Sequence, residues 1–383
     1  MSSTGSRLRK LSCRACCAEY APDELRGVCA TCGHTLLAEY ALEGLDGRAW
    51  WREVSSRAPT LWKYRELLPV RDDRAIASLG ESEGPLLALG DRPGPFGLEL
   101  WGKDDGVLPT GSFKARGMTV AVSRARELGA TRLFAPSAGN AGLALAAYGA
   151  RAGLPVSVYL PERCEAAVVE GVSRYGAEVV RVGATIREAG EEARQREAKR
   201  AFDLSTLREP YRVEGKKTMG FEIRERFGAD GMPDVIVYPT GGGTGLVGLW
   251  KGFQELRSLG LLEQAPRLVA VQSETCAPVV RALRDGSARV TPWTDARTVA
   301  PGLLVPAPFS SERVLEAVRA THGAGVSVSD EQILAAQGEL ARRFGLSVAR
   351  EAAAPWAALP ELASSGAVRS GERVLLYLTG RAA

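Results

Sequence analysis

Histidine is nearly missing from this chain: His34 and His322 are the only two in 383 residues. That scarcity argues against a histidine-based hydrolase and against a His-rich metal centre. Lysine is scarce too, since eight of the 49 basic residues are lysine and 41 are arginine. Arginine cannot form an imine or act as a base near neutral pH, so each lysine carries more information than usual. The net charge is only +4, too small to make nucleic acid or an anionic membrane the main partner. No apolar run approaches the ~18 residues that a membrane-crossing helix needs. The polar, basic stretch from Met1 to Lys10 leads into no apolar segment of the secretory kind. The expectation is a cytoplasmic protein in a reducing compartment. What is left, 45% apolar and 25% charged residues, is ordinary globular composition with enough length for two or three domains.

Five of the seven cysteines fall within the first 32 residues. Cys13 and Cys16 form one Cys-x-x-Cys pair, and Cys29 and Cys32 form a second, twelve residues further on. Each such turn can place two thiolates on one side of an ion, and four thiolates complete a closed, structural zinc site. Gly33 after the second pair gives the backbone freedom such a turn needs, whereas Cys17 holds the matching position after the first. Unrelated buried or surface thiols are the alternative. Residues 41–80, with Trp50, Trp51 and Trp62 and the prolines Pro59 and Pro69, are irregular and read as a connecting arm.

Beyond residue 80 short β-rich runs alternate with amphipathic ones. Expected strands are Arg132 to Ala135, Val156 to Leu160, Glu178 to Val182, Val235 to Tyr238, Leu268 to Gln272 and Val374 to Leu378. Expected helices are Phe113 to Leu128, Ala141 to Ala152, Glu165 to Tyr175, Thr185 to Ala201 and Gly245 to Leu259. This alternation predicts an α/β fold with parallel sheets covered on both faces, and ligands at loops leaving the carboxyl ends of strands.

Three of those loops carry chemistry. Pro109-Thr110-Gly111-Ser112-Phe113-Lys114 is a Gly-Ser turn opening into a helix, which puts a lysine within reach of a bound carbonyl. Pro136-Ser137-Ala138-Gly139-Asn140 is small enough for a flat ligand to approach, and Asn140 can hydrogen-bond a ring hydroxyl. Thr240-Gly241-Gly242-Gly243-Thr244-Gly245 offers free amides at a helix N-terminus, suited to a phosphate. A Gly-rich turn can also reflect tight packing alone. Gly243-x-Gly245-x-x-Gly248, with Glu274 after the next strand, also fits a dinucleotide pattern. That rival leaves the lysine and asparagine loops unexplained. Amides for a phosphate, a lysine for an aldehyde carbon and an asparagine for a ring oxygen together describe pyridoxal 5'-phosphate. A desolvated lysine among cationic neighbours has a lowered pKa, which favours imine formation.

Taken together these motifs resemble the threonine synthases, a family of fold-type-II pyridoxal phosphate enzymes related to the tryptophan synthase β chain. Pro109 to Gly117 is similar to the family's Schiff-base motif and aligns its lysine with Lys114. Ser137 to Asn140 is similar to the loop whose asparagine meets the ring oxygen. Gly241, Gly242, Gly243, Thr244 and Gly245 match the cofactor-phosphate loop, and Leu378-Thr379-Gly380 resembles the closing Thr-Gly, whose threonine meets the pyridine nitrogen. Phe202 to Gly220 resembles a segment particular to this branch, in which Arg212 takes the place of an arginine for the substrate phosphate. The resemblance also implies that Ser137 binds substrate, that the Cys13, Cys16, Cys29 and Cys32 segment is a zinc ribbon, and that the enzyme is a homodimer acting on a small amino acid. It implies two three-layer α/β/α domains in a catalytic region at 81–383, with the smaller at about 112–205, after a zinc-ribbon-like segment at 1–40 and the arm at 41–80.

The implied reaction turns O-phospho-L-homoserine and water into L-threonine and phosphate. Departures from the family lie on the substrate side. Gly80-Glu81-Ser82-Glu83-Gly84-Pro85-Leu86 lacks the family's threonine, and Ala349-Arg350-Glu351-Ala352-Ala353 stands where Pro-Glu-Gly-Ala-Ala is usual. A threonine or serine dehydratase, or a β-replacement enzyme on the same fold, is the alternative.

Overall fold

The computed structural model describes residues 5–91, 94–198 and 200–382. The start of the Met1 to Lys10 stretch, Lys199 within the expected helix to Ala201, and Ala383 lie outside them. The chain divides into two compact units, each built from separated segments. The first comprises Met1–Leu45, Ser56–Ser82 and Lys114–Thr218; the second comprises Asp46–Ser55, Glu83–Phe113 and Met219–Ala383.

The first unit holds a parallel sheet in the order Glu178–Arg181, Val156–Leu160, Leu133–Pro136, Phe202–Asp203. Side chains alternate across its faces. Phe134 and Tyr159 pack on Ala189 and Ala193 of the helix Ile186–Glu197. A Cβ on Gly142, in the helix Asn140–Ala152, would come 2.9 Å from Val158, so that helix presses closely on the sheet. The helix Lys114–Glu127 is buried from Ala115 to Ala125, as befits an element inside the unit. The same unit carries a three-stranded antiparallel sheet of Glu19–Tyr20, Leu8–Cys13 and Leu36–Tyr40.

The second unit holds six strands in the order Gly325–Val328, Arg267–Ser273, Val235–Pro239, Arg373–Leu378, Glu99–Asp104, Leu86–Ala88. All neighbours are parallel except the last pair. Val-Ile-Val-Tyr-Pro at 235–239 is buried throughout, as a strand covered on both faces requires. Val235, Val237, Val269, Val271, Val374 and Leu376 share one core with Ala352, Ala353 and Trp356 of the helix Arg350–Ala357.

All six expected strands and all five expected helices are present, with ends shifted by a few residues at most. The parallel strands Glu99–Asp104 and Gly325–Val328 and the helix Tyr211–Phe227 were not among the expectations. The irregular stretch at 41–80 holds the helix Gly47–Ser56, whose buried Gly47, Trp50 and Val54 follow helical spacing among charged neighbours. Trp50 meets Phe221 edge-on at 6.3 Å. Among the described residues no helix is long and apolar enough to cross a membrane.

Candidate active site

In the second unit two neighbouring parallel strands end side by side. Val235–Pro239 runs into the glycine loop, and Arg373–Leu378 delivers Thr379. The loop 241–243 leads into the helix Thr244–Ser258, whose first amides have no partner within the helix. Side chains are excluded here by contact. A Cβ on Gly241 would strike the Gly302 carbonyl, one on Gly243 would strike Val314, and one on Gly245 would strike the Tyr238 hydroxyl. Gly243 also has φ 75°, a left-handed conformation that glycine adopts without strain. Tyr238 is held in turn, its ring 5.0 Å from that of Tyr377, whose hydroxyl donates to Asp105 at 2.7 Å.

Thr379 is buried, and its carbonyl accepts the Phe113 amide at 2.9 Å. The Arg381 amide donates to Gly111 at 3.0 Å, so the turn 109–113 is tied to the chain's last strand. Thr110 and Gly111 in that turn both have positive φ, 61° and 72°. Among the described residues the buried hydroxyls of Thr110 and Ser112 have no hydrogen-bond partner. Buried hydroxyls left so are costly unless something completes them. A bare amide cradle at a helix start, with orphaned hydroxyls in the neighbouring turn, fits a phosphorylated cofactor.

The first unit brings together groups of a different kind. Lys114 opens its helix and is half-buried. A Cβ on Gly117, one turn further on, would lie 3.0 Å from the Arg212 carbonyl and 3.1 Å from Lys216 Nζ. One on Gly215 would strike the Arg116 carbonyl, so the helix Tyr211–Phe227 touches the lysine helix through two glycines. Arg212 is fully buried; its Nη1 donates to the Leu204 carbonyl at 2.7 Å, while its Nε has no partner among the described residues. Burial pushes Lys216 well below the usual lysine range, helped by the charges of Arg212 and Lys114 and opposed by Glu209. Burial raises the Glu209 carboxyl to about 7, although it accepts the Tyr211 amide at 2.6 Å and the Arg212 amide at 3.0 Å.

Ser137 and Asn140 leave the carboxyl end of Leu133–Pro136 as expected. Asn140 is exposed at the start of its helix, and Ser137 Oγ accepts the Gly142 amide at 2.9 Å. Lys216, Glu209 and Glu351 were not singled out for a site by sequence reasoning. Glu351 accepts the Gly302 amide at 2.6 Å, bracing the residue that abuts Gly241. Lysine scarcity was the signal that could have found Lys216, since Lys63, Lys103, Lys216 and Lys217 are all buried.

The Sγ atoms of Cys13, Cys16, Cys29 and Cys32 lie within 4.8 Å of one another, with 3.4 Å between Cys13 and Cys32 and 3.5 Å between Cys16 and Cys29. A tetrahedral zinc with Zn–S of about 2.3 Å places its sulfurs about 3.8 Å apart, so the set fits that ion. The two turns match. Cys17 N donates to the Cys13 carbonyl and Gly33 N to the Cys29 carbonyl, with φ of 60° at Cys17 and 73° at Gly33. Cys17 thus takes the glycine position of the first turn.

Comparison with known proteins agrees with this geometry. The family described as pyridoxal-phosphate dependent enzyme matches residues 77–380. A threonine synthase of Methanosarcina acetivorans is 35% identical over 374 residues, covering 97% of this chain and 91% of that protein. A threonine synthase of Methanocaldococcus jannaschii is 33% identical, covering 96% and 91%. Among solved structures, maize serine racemase superimposes with a TM-score of 0.69 at 20% identity, covering 78% of this chain and 88% of that one. At that identity the likeness is one of fold, and the fold is type II.

Proposed function

Because the chain belongs to the pyridoxal-phosphate dependent enzymes, and within them to the threonine synthases, we propose that it converts O-phospho-L-homoserine and water into L-threonine and phosphate. The observation that carries this reading is the match of 35% identity along 97% of the chain. Such a match spans the cysteine segment and the 202–220 segment as well as the cofactor loops.

In this reading Lys114 would hold the cofactor through its aldehyde carbon until the substrate amine displaces it, and the freed Nζ would take the substrate's α-proton and return one at the end. The amides of Gly241, Gly242, Gly243, Thr244 and Gly245 hold the cofactor phosphate, with no side chain in the way. Asn140 donates to the ring oxygen, and the neutral Thr379 hydroxyl meets the ring nitrogen. When bound, pyridoxal phosphate spreads the negative charge left as the α-proton departs. Ser137 and Arg212 bind the substrate, Arg212 through its guanidinium on the phosphate. Cys13, Cys16, Cys29 and Cys32 hold a structural zinc in a module of residues 1–40, ahead of the arm 41–80 and the catalytic region 81–383. We assign the working form as a homodimer of the cytoplasm.

The test is incubation of the cofactor-loaded protein with O-phospho-L-homoserine. Threonine and phosphate should appear in equal amounts. Release of a keto acid and ammonia instead, or no turnover beside active deamination of threonine or serine, would move the chain to the dehydratases of the same fold.

A further inference from the structure

We propose that Lys216 is a specificity-determining residue: with Arg212 it forms, inside the first unit, a two-cation seat for the substrate's phosphate ester. The proposal deepens the reading above and rests on it for the identity of the ester. Arg212 already belongs to that reading, and Lys216 is the new element.

The seat follows from helix geometry. Residues 212 and 216 are one turn apart on the helix Tyr211–Phe227 and therefore share a face. That face meets the first turn of the lysine helix, as the close approaches of Arg212 and Lys216 to Gly117 show. Lys114 lies one turn before Gly117 on that helix. Both Arg212 and Lys216 are buried, at 2% and 1% exposure.

Burying two cations a turn apart disfavours the charge on each, and the charge of Lys114 adds to the effect on Lys216. Glu209 opposes it. That carboxylate is committed to the backbone amides of Tyr211 and Arg212, where it caps the helix start and sets the direction of its first turn. Two buried cations a turn apart are suited to an arriving dianion. A phosphate monoester would meet the open Nε of Arg212 and the amine of Lys216 together, two charge-assisted contacts on one group. A substrate without the phosphate gains neither.

The experiment uses the cofactor-loaded enzyme, so that the glycine loop is already filled, and inorganic phosphate as the probe. Binding is measured by equilibrium dialysis for the wild type and for Lys216→Met, which keeps length and burial but removes the amine. The variant should bind phosphate about tenfold more weakly, the worth of one charge-assisted contact. Its KM for O-phospho-L-homoserine should rise in proportion, with the loss carried by KM rather than by kcat. Should the Met variant fail to melt cooperatively, Lys216→Gln carries the same expectation. Phosphate binding equal to wild type in a folded variant overturns the proposal, and so does a loss confined to kcat with KM unchanged. If the wild type does not turn over O-phospho-L-homoserine yet binds phosphate in a Lys216-dependent way, the seat stands and the identity of the ester falls.

Discussion

The two units carry opposite kinds of chemical group. In the second, the candidate binding groups are backbone amides and neutral hydroxyls, placed where two parallel strands end and where a side chain at 241, 243 or 245 would collide with its surroundings. In the first they are long charged side chains (Lys114, Arg212 and Lys216) with the carboxylate of Glu209 among them. An amide cradle has one shape and recognises one constant group, a phosphate. A cluster of buried charges is costly, and substitution can adjust it. The difference separates a group whose shape the backbone sets from one that side-chain substitution can retune.

The largest effect should come from filling the cradle. Gly245→Ala drives a methyl group into the Tyr238 hydroxyl, so the loop must shift and one or two hydrogen bonds to the phosphate are lost. Cofactor affinity should fall about a hundredfold by fluorescence titration. Retention within a fewfold would mean that the loop is more compliant than its contacts indicate.

The next effect separates the units. Thr35 Oγ1 donates to the Leu207 carbonyl, and a Cβ on Gly27 would lie 2.8 Å from the Arg208 carbonyl, so the cysteine segment braces the stretch leading to Arg212. Cys16→Ser should abolish stoichiometric zinc and lower Tm by on the order of 5 °C. It should raise KM for the amino acid severalfold while leaving the absorption spectrum of the bound cofactor unchanged. A spectrum altered as strongly as KM would break the distinction between the units.

Much of this was legible in the sequence, for reasons visible in particular residues. Lys114, Asn140 and the glycines at 241–245 sit at strand-to-helix junctions, where turn chemistry marks them. The matched cysteine turns were legible from spacing, and the φ of 60° at Cys17 makes it the counterpart of Gly33. The helix Tyr211–Phe227 was hidden because Arg212, Glu214, Lys216, Lys217 and Glu222 are all buried. Periodicity assigns such residues to solvent, whereas here Lys217 pairs with Glu214 at 2.7 Å and lies 3.8 Å from the Tyr40 ring. The strand Glu99–Asp104 was hidden likewise, with Lys103 buried in it and paired with Glu222 at 2.8 Å. Each unit gathers segments distant in sequence, which no local pattern records.

Smaller effects sharpen the comparison. Thr379→Asp puts a charge where the second unit uses a neutral hydroxyl, and should change the ratio of threonine to deamination product by about tenfold without unfolding the chain. An unchanged ratio would remove Thr379 from the account of product choice. The smallest effect concerns Glu209. With its carboxyl raised from 4.5 to about 7, the folded chain holds a proton that the unfolded chain has released across that window. Its contribution to stability therefore falls as pH rises from about 4.5 to about 7. Against Glu209→Gln, the wild type should lose Tm over that range, and parallel curves would show that Glu209 does not titrate there.

Beneath both halves of the comparison lies one proposed bond, from Lys114 to the aldehyde of the cofactor. Borohydride reduction of the cofactor-loaded protein, followed by peptide mapping, reads it directly. The label should fall on the peptide carrying Lys114, and Lys114→Ala should lose at least about a thousandfold in turnover. A label on Lys103, Lys216 or any other lysine, or a protein that takes up no label at all, would contradict the account.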